Sequence, residues 1–198
     1  MKLEQIREVE KNNTDPINNF FDYSYYKIYS KLLNIELDLQ SEFLEKNYLN
    51  KLPKINTLDL CCGTGRHIKK LNRKGYLIDG VDINPDAVVI ANKSTELGKI
   101  YLADIQYFKP IEKYDFIYSM ESSIGYLPDK QTIDILKNLE SNILSDNGIF
   151  LLHLINKDYL IKNLTPRVWF GEHSTGYLLE DRKIDAELDK VILFISAF

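Results

Sequence analysis

Apolar residues change their spacing twice along this chain. Over residues 1 to 50 they recur at helical intervals, through Ile17, Phe20, Phe21, Tyr25, Ile28, Leu32 and Leu33. Asp15-Pro16 reads as a helix cap followed by a first-turn proline. A further helix is predicted over about 36–49, ended by Pro53. From residue 55 onward short apolar runs alternate with helical periods. The predicted strands are Ile55–Leu60, Tyr76–Ile83, Lys99–Ala103, Tyr114–Ser119 and Gly148–Leu154. The first helix between them runs over 66–73 and closes at Gly75. The second opens at Asn84-Pro85, where a side-chain cap precedes a proline that needs no amide donor, and ends at Gly98. A third is marked by Ile133, Leu136, Leu139, Ile143 and Leu144 and stops at Asn147-Gly148. Gly148–Leu154 is almost continuously apolar, as strands buried on both faces are. Beyond residue 167 the pattern turns β-rich and hairpin-like, through Val168–Phe170, Tyr177–Ile184 and Lys190–Ala197.

The order over 55–154 is βαβαβ(α)βαβ. It predicts an α/β fold, an open parallel sheet with helices on both faces, flanked by N-terminal helices and a C-terminal antiparallel appendage. Its ligand belongs outside the carboxyl ends of the strands, where the chain order reverses. Composition adds constraints rather than a function. The chain has 198 residues, enough for about one domain, with an apolar fraction of 44%, a charged fraction of 27% and a net charge of −4. No basic block marks a nucleic-acid surface, and no apolar run reaches membrane-spanning length. Cys61 and Cys62 are adjacent, with no second pair to complete a metal site, so no metal is expected. A reduced pair in a cytoplasmic protein is the simple reading.

Polar features recur at the ends of successive predicted strands. Asp59 leads into the turn Cys61-Cys62-Gly63-Thr64-Gly65, whose glycines leave room for a ligand to meet backbone. Asp82 ends the second strand, 19 residues after Gly63, the spacing at which an acid reaches both hydroxyls of a ribose. Asp104 ends the third, and with Ile105 it can frame an adenine through a carboxylate and a backbone amide. Ser119-Met120-Glu121-Ser122-Ser123 follows the fourth. Any one of these reads equally well as a cap or turn residue. Together they line one crevice, and its acidity suits a cationic cofactor better than a pyrophosphate.

Asp59-Leu60-Cys61-Cys62-Gly63-Thr64-Gly65-Arg66-His67 resembles motif I of class I S-adenosylmethionine (SAM)-dependent methyltransferases. Gly80-Val81-Asp82-Ile83-Asn84 is similar to their second motif and Ala103-Asp104-Ile105 to their third. Tyr114–Ile117 through Ser123–Leu127 resembles the fourth, and Leu144–Phe150 the turn into strand five. The resemblance implies the Rossmann-like methyltransferase fold, with SAM across strands one to four and a small-molecule methyl acceptor. It divides the chain into an N-terminal helical cap (1–50), a SAM-binding core (51–160) and a β-rich lid or substrate segment (161–198). Carried over by position, Asp59, Cys61, Gly63 and Gly65 face the methionine part, Asp82 with Ile83 the ribose, and Asp104 with Ile105 the adenine. Met120 lies near the methyl-transfer face. Tyr26, or its neighbour Tyr25, closes over the cofactor, an assignment that competes with plain helix packing.

Members of that family usually continue past strand five through a helix and two more strands. Here 44 residues follow Leu154 and read as an antiparallel insertion, so the chain looks C-terminally shortened and its open sheet edge invites homodimerisation. A hydroxyl acceptor would need a general base, for which His153, Glu121 and His173 are the candidates. A nitrogen acceptor needs little base catalysis. His67 reads as lining the cofactor helix, and Glu180-Asp181-Arg182-Lys183 as a solvated strand face. Two other readings share the sheet. One is a non-catalytic SAM-binding remnant or partner subunit. The other is a nicotinamide or nucleotide-sugar enzyme, against which Ile68 stands where the dinucleotide fingerprint requires glycine or alanine.

Overall fold

The computed structural model describes residues 23–51, 55–185 and 190–197. The readings made on Asp15-Pro16, Ile17, Phe20, Phe21 and Pro53 lie outside these residues. Two helices open the described chain, α1 (Tyr23–Ile35) and α2 (Leu37–Leu44), the second widening into a π turn over Glu45–Leu49. The alternating part then gives β1 (Thr57–Leu60), α3 (Arg66–Asn72), β2 (Asp79–Asp82), α4 (Pro85–Ser94), β3 (Ile100–Leu102), β4 (Tyr114–Ser119), α5 (Asp129–Asn138) and β5 (Leu144–Leu152). These five strands form one parallel sheet in the order β3-β2-β1-β4-β5. After α6 (Lys157–Asn163) comes a separate antiparallel sheet of β6 (Arg167–Glu172), β7 (Gly176–Asp185) and β8 (Lys190–Ala197). The architecture is the expected α/β sheet with an antiparallel appendage.

Both faces of the parallel sheet are covered. Leu58, Leu60, Val81 and Ile117 pack with Ile135, Leu139 and Ile143 from the α5 side. Phe116, Tyr118, Ile68, Leu71 and Ile78 pack with Leu44 and Leu49 on the other. Every residue of β1 is buried, as expected of a central parallel strand. The Asn84 cap forms as its sequence predicts, its side chain accepting from the amides of Asp86 and Ala87 ahead of Pro85.

Four expectations are corrected. The second strand is only Asp79–Asp82, since its pairing begins at Asp79 on the β1 side and at Gly80 on the β3 side. The fifth strand starts at Leu144, not Gly148. Tyr114 pairs with Leu144 and Phe116 with Ile149, so Asn147-Gly148 lies in a bulge inside the strand rather than at a helix stop. That strand is also not buried on both faces: it is the edge of the sheet, and Ile149 is exposed. Helix α6 has a signal that the apolar pattern does not carry, since Asn156 caps it by accepting from the Tyr159 amide.

Gly98, at φ +105°, turns the chain from α4 toward β3, and a Cβ there would run into the Ile78 carbonyl. Gly98→Ala is therefore expected to lower stability by about 3 kcal/mol. Urea denaturation checks this, and an unchanged midpoint would show that the turn relaxes freely.

Candidate active site

In this strand order the connections leave β1 and β4 in opposite directions, so the topological switch lies between their carboxyl ends. Two tight turns meet there. The first follows β1, where Cys61 (φ 63°), Gly63 (φ 53°) and Gly65 (φ 72°) are all left-handed. The second follows β4, where Glu121 (φ 62°) and Ser122 (φ 58°) are left-handed without being glycine. Such backbone costs about 1 kcal/mol or more per residue and persists only where surroundings enforce it.

The first turn is clamped by Asp82. Its Oδ2 accepts from the Gly63 amide at 2.7 Å and its Oδ1 from the Asn84 amide at 2.9 Å. Burial pushes the Asp82 carboxyl above its usual range, and the amides of Asn84, Gly63 and Ile83 pull it back. Cys61 and Cys62 are free thiols, held well above the ordinary range by burial and nearby carboxylates, so neither is an activated nucleophile. The two cysteines pack to opposite faces of the sheet, Cys61 toward the α5 cluster and Cys62 toward the α3 cluster. Tyr26 brings its hydroxyl over Gly63, 3.6 Å from where a Cβ would stand. A cleft of about 270 Å³ opens at the same turn, between α1, α4 and Thr64–Arg66.

Asp59 is the most perturbed carboxylate. It is 2% exposed, its Oδ2 has no hydrogen-bond partner, and burial pushes it up to about 8. The Tyr118 phenol and the Arg66 guanidinium offset part of that shift. The Tyr118 hydroxyl nevertheless makes no hydrogen bond of ordinary geometry, and the Ser119 hydroxyl is likewise buried and unpartnered. Asp59 and Tyr118 interact with each other without an ordinary hydrogen bond, and with the Ser119 hydroxyl they form a buried polar group that is under-satisfied for a packed core. Asp104 turns back on itself, its Oδ1 accepting from the Gln106 amide at 2.8 Å, with Ile105 buried behind it. Ile83 is at the margin of exposure and Met120 is buried.

The second turn carries Glu121. Its backbone amide donates to His153 Nδ1 at 3.2 Å. A neutral His153 therefore has its proton on Nε2. The Glu121 carboxylate accepts from Gln40 Nε2 at 2.9 Å and lies 3.8 Å from the Arg66 guanidinium. Arg66 also donates to the Leu33 carbonyl at the end of α1. His67 does not line the crevice. It is 5% exposed beneath α2, with Nε2 2.8 Å from Gln40 Oε1. His173 is exposed in the turn joining β6 and β7, and among the described residues no hydrogen bond ties it to this cluster.

The antiparallel sheet leans on α1 through Leu178 and Phe170, which meet Tyr25, Ile28 and Tyr29. Here the expected solvated face is corrected. Glu180 is 6% exposed and paired with Arg182 at 2.6 Å, because alternate residues of β7 turn toward α1 while Asp181 and Lys183 turn away. Sequence reasoning missed Gln40, Arg66 and Tyr118. Only Arg66 carried a local signal, directly after the glycine turn.

Comparison with known proteins agrees with this geometry. Residues 57–148 match the model of a family described as a methyltransferase domain. The chain is 24% identical over 110 residues, 55% of its length, to a dTDP-3-amino-3,6-dideoxy-alpha-D-glucopyranose N,N-dimethyltransferase of Streptomyces fradiae. It spans 42% of that enzyme's length. It also superposes on a solved S-adenosylmethionine-dependent methyltransferase from Clostridium acetobutylicum with a TM-score of 0.70 and 22% identity, covering 88% of this chain and 73% of that one. Against DesVI of Streptomyces venezuelae the TM-score is 0.65 at 15% identity, covering 88% and 82%. The stretch from Thr57 to Gly148 thus matches a methyltransferase-domain family, on the Rossmann-like fold that these solved structures share.

Proposed function

We propose that the chain binds SAM at the β1–β4 switch and transfers its methyl group to a nitrogen or oxygen of a small-molecule acceptor. The observation that carries this is Asp59 Oδ2, a buried carboxylate oxygen with no partner, at the head of a crevice that also holds Asp82, Asp104 and Glu121. A cation completes such a group and an anion does not. Asp59 with the Cys61–Gly65 backbone would hold the methionine part. Asp82 and Ile83 would hold the ribose, Asp104 and Ile105 the adenine, and Met120 and Tyr26 would bound the transfer face. When bound, the cofactor supplies a methyl on a sulfonium, so these residues need only orient the acceptor and exclude water.

The acceptor side lies between α1, the Glu121 turn and the antiparallel sheet, with residues 51–160 holding the cofactor and 161–198 covering the acceptor. The N-terminal helices, 1–50 in this division, would close the crevice. The amino-sugar substrate named for the Streptomyces fradiae relative supports nitrogen. Of the candidate bases, Glu121 fits better than His153, whose Nδ1 is occupied by the Glu121 amide, while His173 has no such support. Ile68 argues against a dinucleotide: it is fully buried and stands 2.7 Å from where a Cβ on Gly80 would lie. The edge of β5 supports a homodimer, and two free cysteines support a cytoplasmic setting. Among the described residues no helix is long and apolar enough to cross a membrane.

Calorimetry with SAM, its demethylated product S-adenosylhomocysteine (SAH) and NAD tests the reading. Micromolar binding of the first two and none of NAD is expected. Retention of NAD over SAM would overturn it. Transfer of labelled methyl to amino sugars and to matched hydroxyl sugars then separates nitrogen from oxygen.

A further inference from the structure

We propose that Glu121 is the residue that makes the pocket prefer the sulfonium cofactor over its neutral product, and that Gln40 and His67 are positioning residues for its carboxylate. The proposal rests on the SAM reading above. Glu121 directly follows Met120 at the end of β4, on the opposite lip of the switch from the glycine turn. Its left-handed backbone is pinned on both sides. The Glu121 amide donates to His153 Nδ1, and the Ser122 amide donates to the His153 carbonyl at 3.1 Å. The Ser122 hydroxyl in turn accepts from the Ile155 amide at 2.9 Å.

The side chain is held from α2. Gln40 is 8% exposed and donates to Glu121 Oε1 at 2.9 Å and to Glu36 Oε2 at 3.3 Å. An amide can face a carboxylate with either end, and only its nitrogen end attracts. Here the oxygen end is claimed by buried His67, 2.8 Å away. An amide oxygen only accepts, so His67 Nε2 bears the proton. Burial lowers His67 to about 3, so the ring stays neutral and keeps one donor at all working pH values. The chain of donors therefore runs one way, from His67 through Gln40 to Glu121. Arg66 stands 3.8 Å from the same Oε1 and offsets part of the carboxylate's charge. Glu121 Oε2 accepts no hydrogen bond among the described residues, and the side chain is 36% exposed.

Asp59 also has an unpartnered oxygen, but it is buried in β1 on the side assigned to the methionine part, whose ammonium SAM and SAH share, so it does not tell the two apart. The remaining carboxylates of the crevice are less available to a sulfonium. Asp82 gives both oxygens to backbone amides. Asp104 gives Oδ1 to its own turn. Glu121 is left with a free oxygen on the β4 side. SAH has the same adenosine, amine and carboxylate as SAM but no sulfonium charge, so attraction to Glu121 distinguishes them and favours release of the product.

Calorimetry with SAM and SAH on the wild-type chain and its variants reads this directly. Glu121→Gln is expected to lower the ratio of SAM to SAH affinity about fivefold, the worth of one carboxylate several ångströms away across a partly solvated gap, with SAH affinity kept within about twofold. His67→Leu should reproduce most of that loss. His67→Gln, whose amide nitrogen can stand where Nε2 stood, should restore the ratio. Should His67→Leu not fold, Gln40→Met removes the same donor. An unchanged ratio in Glu121→Gln overturns the proposal. Equal weakening of both ligands in the His67 or Gln40 variants assigns those residues a structural role only. Failure of the wild-type chain to bind either ligand would overturn the cofactor reading itself, and this proposal with it.

Discussion

Asp82→Ala is expected to lower SAM affinity by about a hundredfold and the ligand-free melting temperature by about 5–10 °C. Two separable losses are involved. Without ligand, the Gly63 and Asn84 amides lose their acceptor. A charge-assisted bond of this kind contributes about 1.5–3 kcal/mol. The relief of burying the Asp82 charge returns part of it, leaving a net cost of about 2–3 kcal/mol, or about 2–4 °C per kcal/mol at this size. With ligand, the carboxylate that would hold the ribose hydroxyls is gone as well, and the left-handed Gly63 turn is no longer held in shape. Thermal unfolding reads the first loss and calorimetry the second. A variant that melts lower yet binds SAM with wild-type affinity would reject the ribose assignment and keep the clamp.

The second large effect belongs to Asp59, and its sign is opposite for stability and for binding. Burial places the folded carboxyl near 8, far above its unfolded value. Between about pH 4 and pH 8 the folded chain therefore binds a proton that the unfolded chain has released. The contribution of Asp59 to stability falls as pH rises through that window and is lowest above it. Asp59→Asn removes the titration, so the ligand-free variant should melt higher than wild type at pH 8, with the gap shrinking toward pH 5. The worth of the gap is on the order of a few kcal/mol. Binding runs the other way. A cation selects the ionised carboxylate, so wild-type affinity for SAM should rise between pH 6 and pH 8, by up to about tenfold per unit, while the variant stays weak and flat. If wild type and Asp59→Asn show parallel pH profiles, the buried oxygen does not meet the cofactor's charge.

These expectations show how unevenly function is written along the chain. Asp59, Asp82 and Asp104 could be found from sequence because a strand is a short apolar run with a visible end, and a parallel sheet puts successive ends at one crevice. Gly63 and Gly65 could be found because a left-handed turn leaves a compositional mark. The partner of His67 left none: Gln40 stands 27 residues away and Glu121 a further 81 residues from Gln40, and no periodicity links them. Glu180 misled for a related reason. A charged residue in a hairpin strand reads as solvent-facing until a helix is laid over that face and a neighbour, Arg182, neutralises it.

The alternation of apolar spacings was enough to determine the parallel sheet, the antiparallel appendage and the line of acids at the strand ends, because these depend on local periodicity and on the few connections a twisted sheet allows. Only the tertiary structure decided which of those acids lost its partners, which histidine went under a helix, and where β5 began. Each of those outcomes depends on which distant surfaces exclude water from one another, and that is settled by packing in three dimensions.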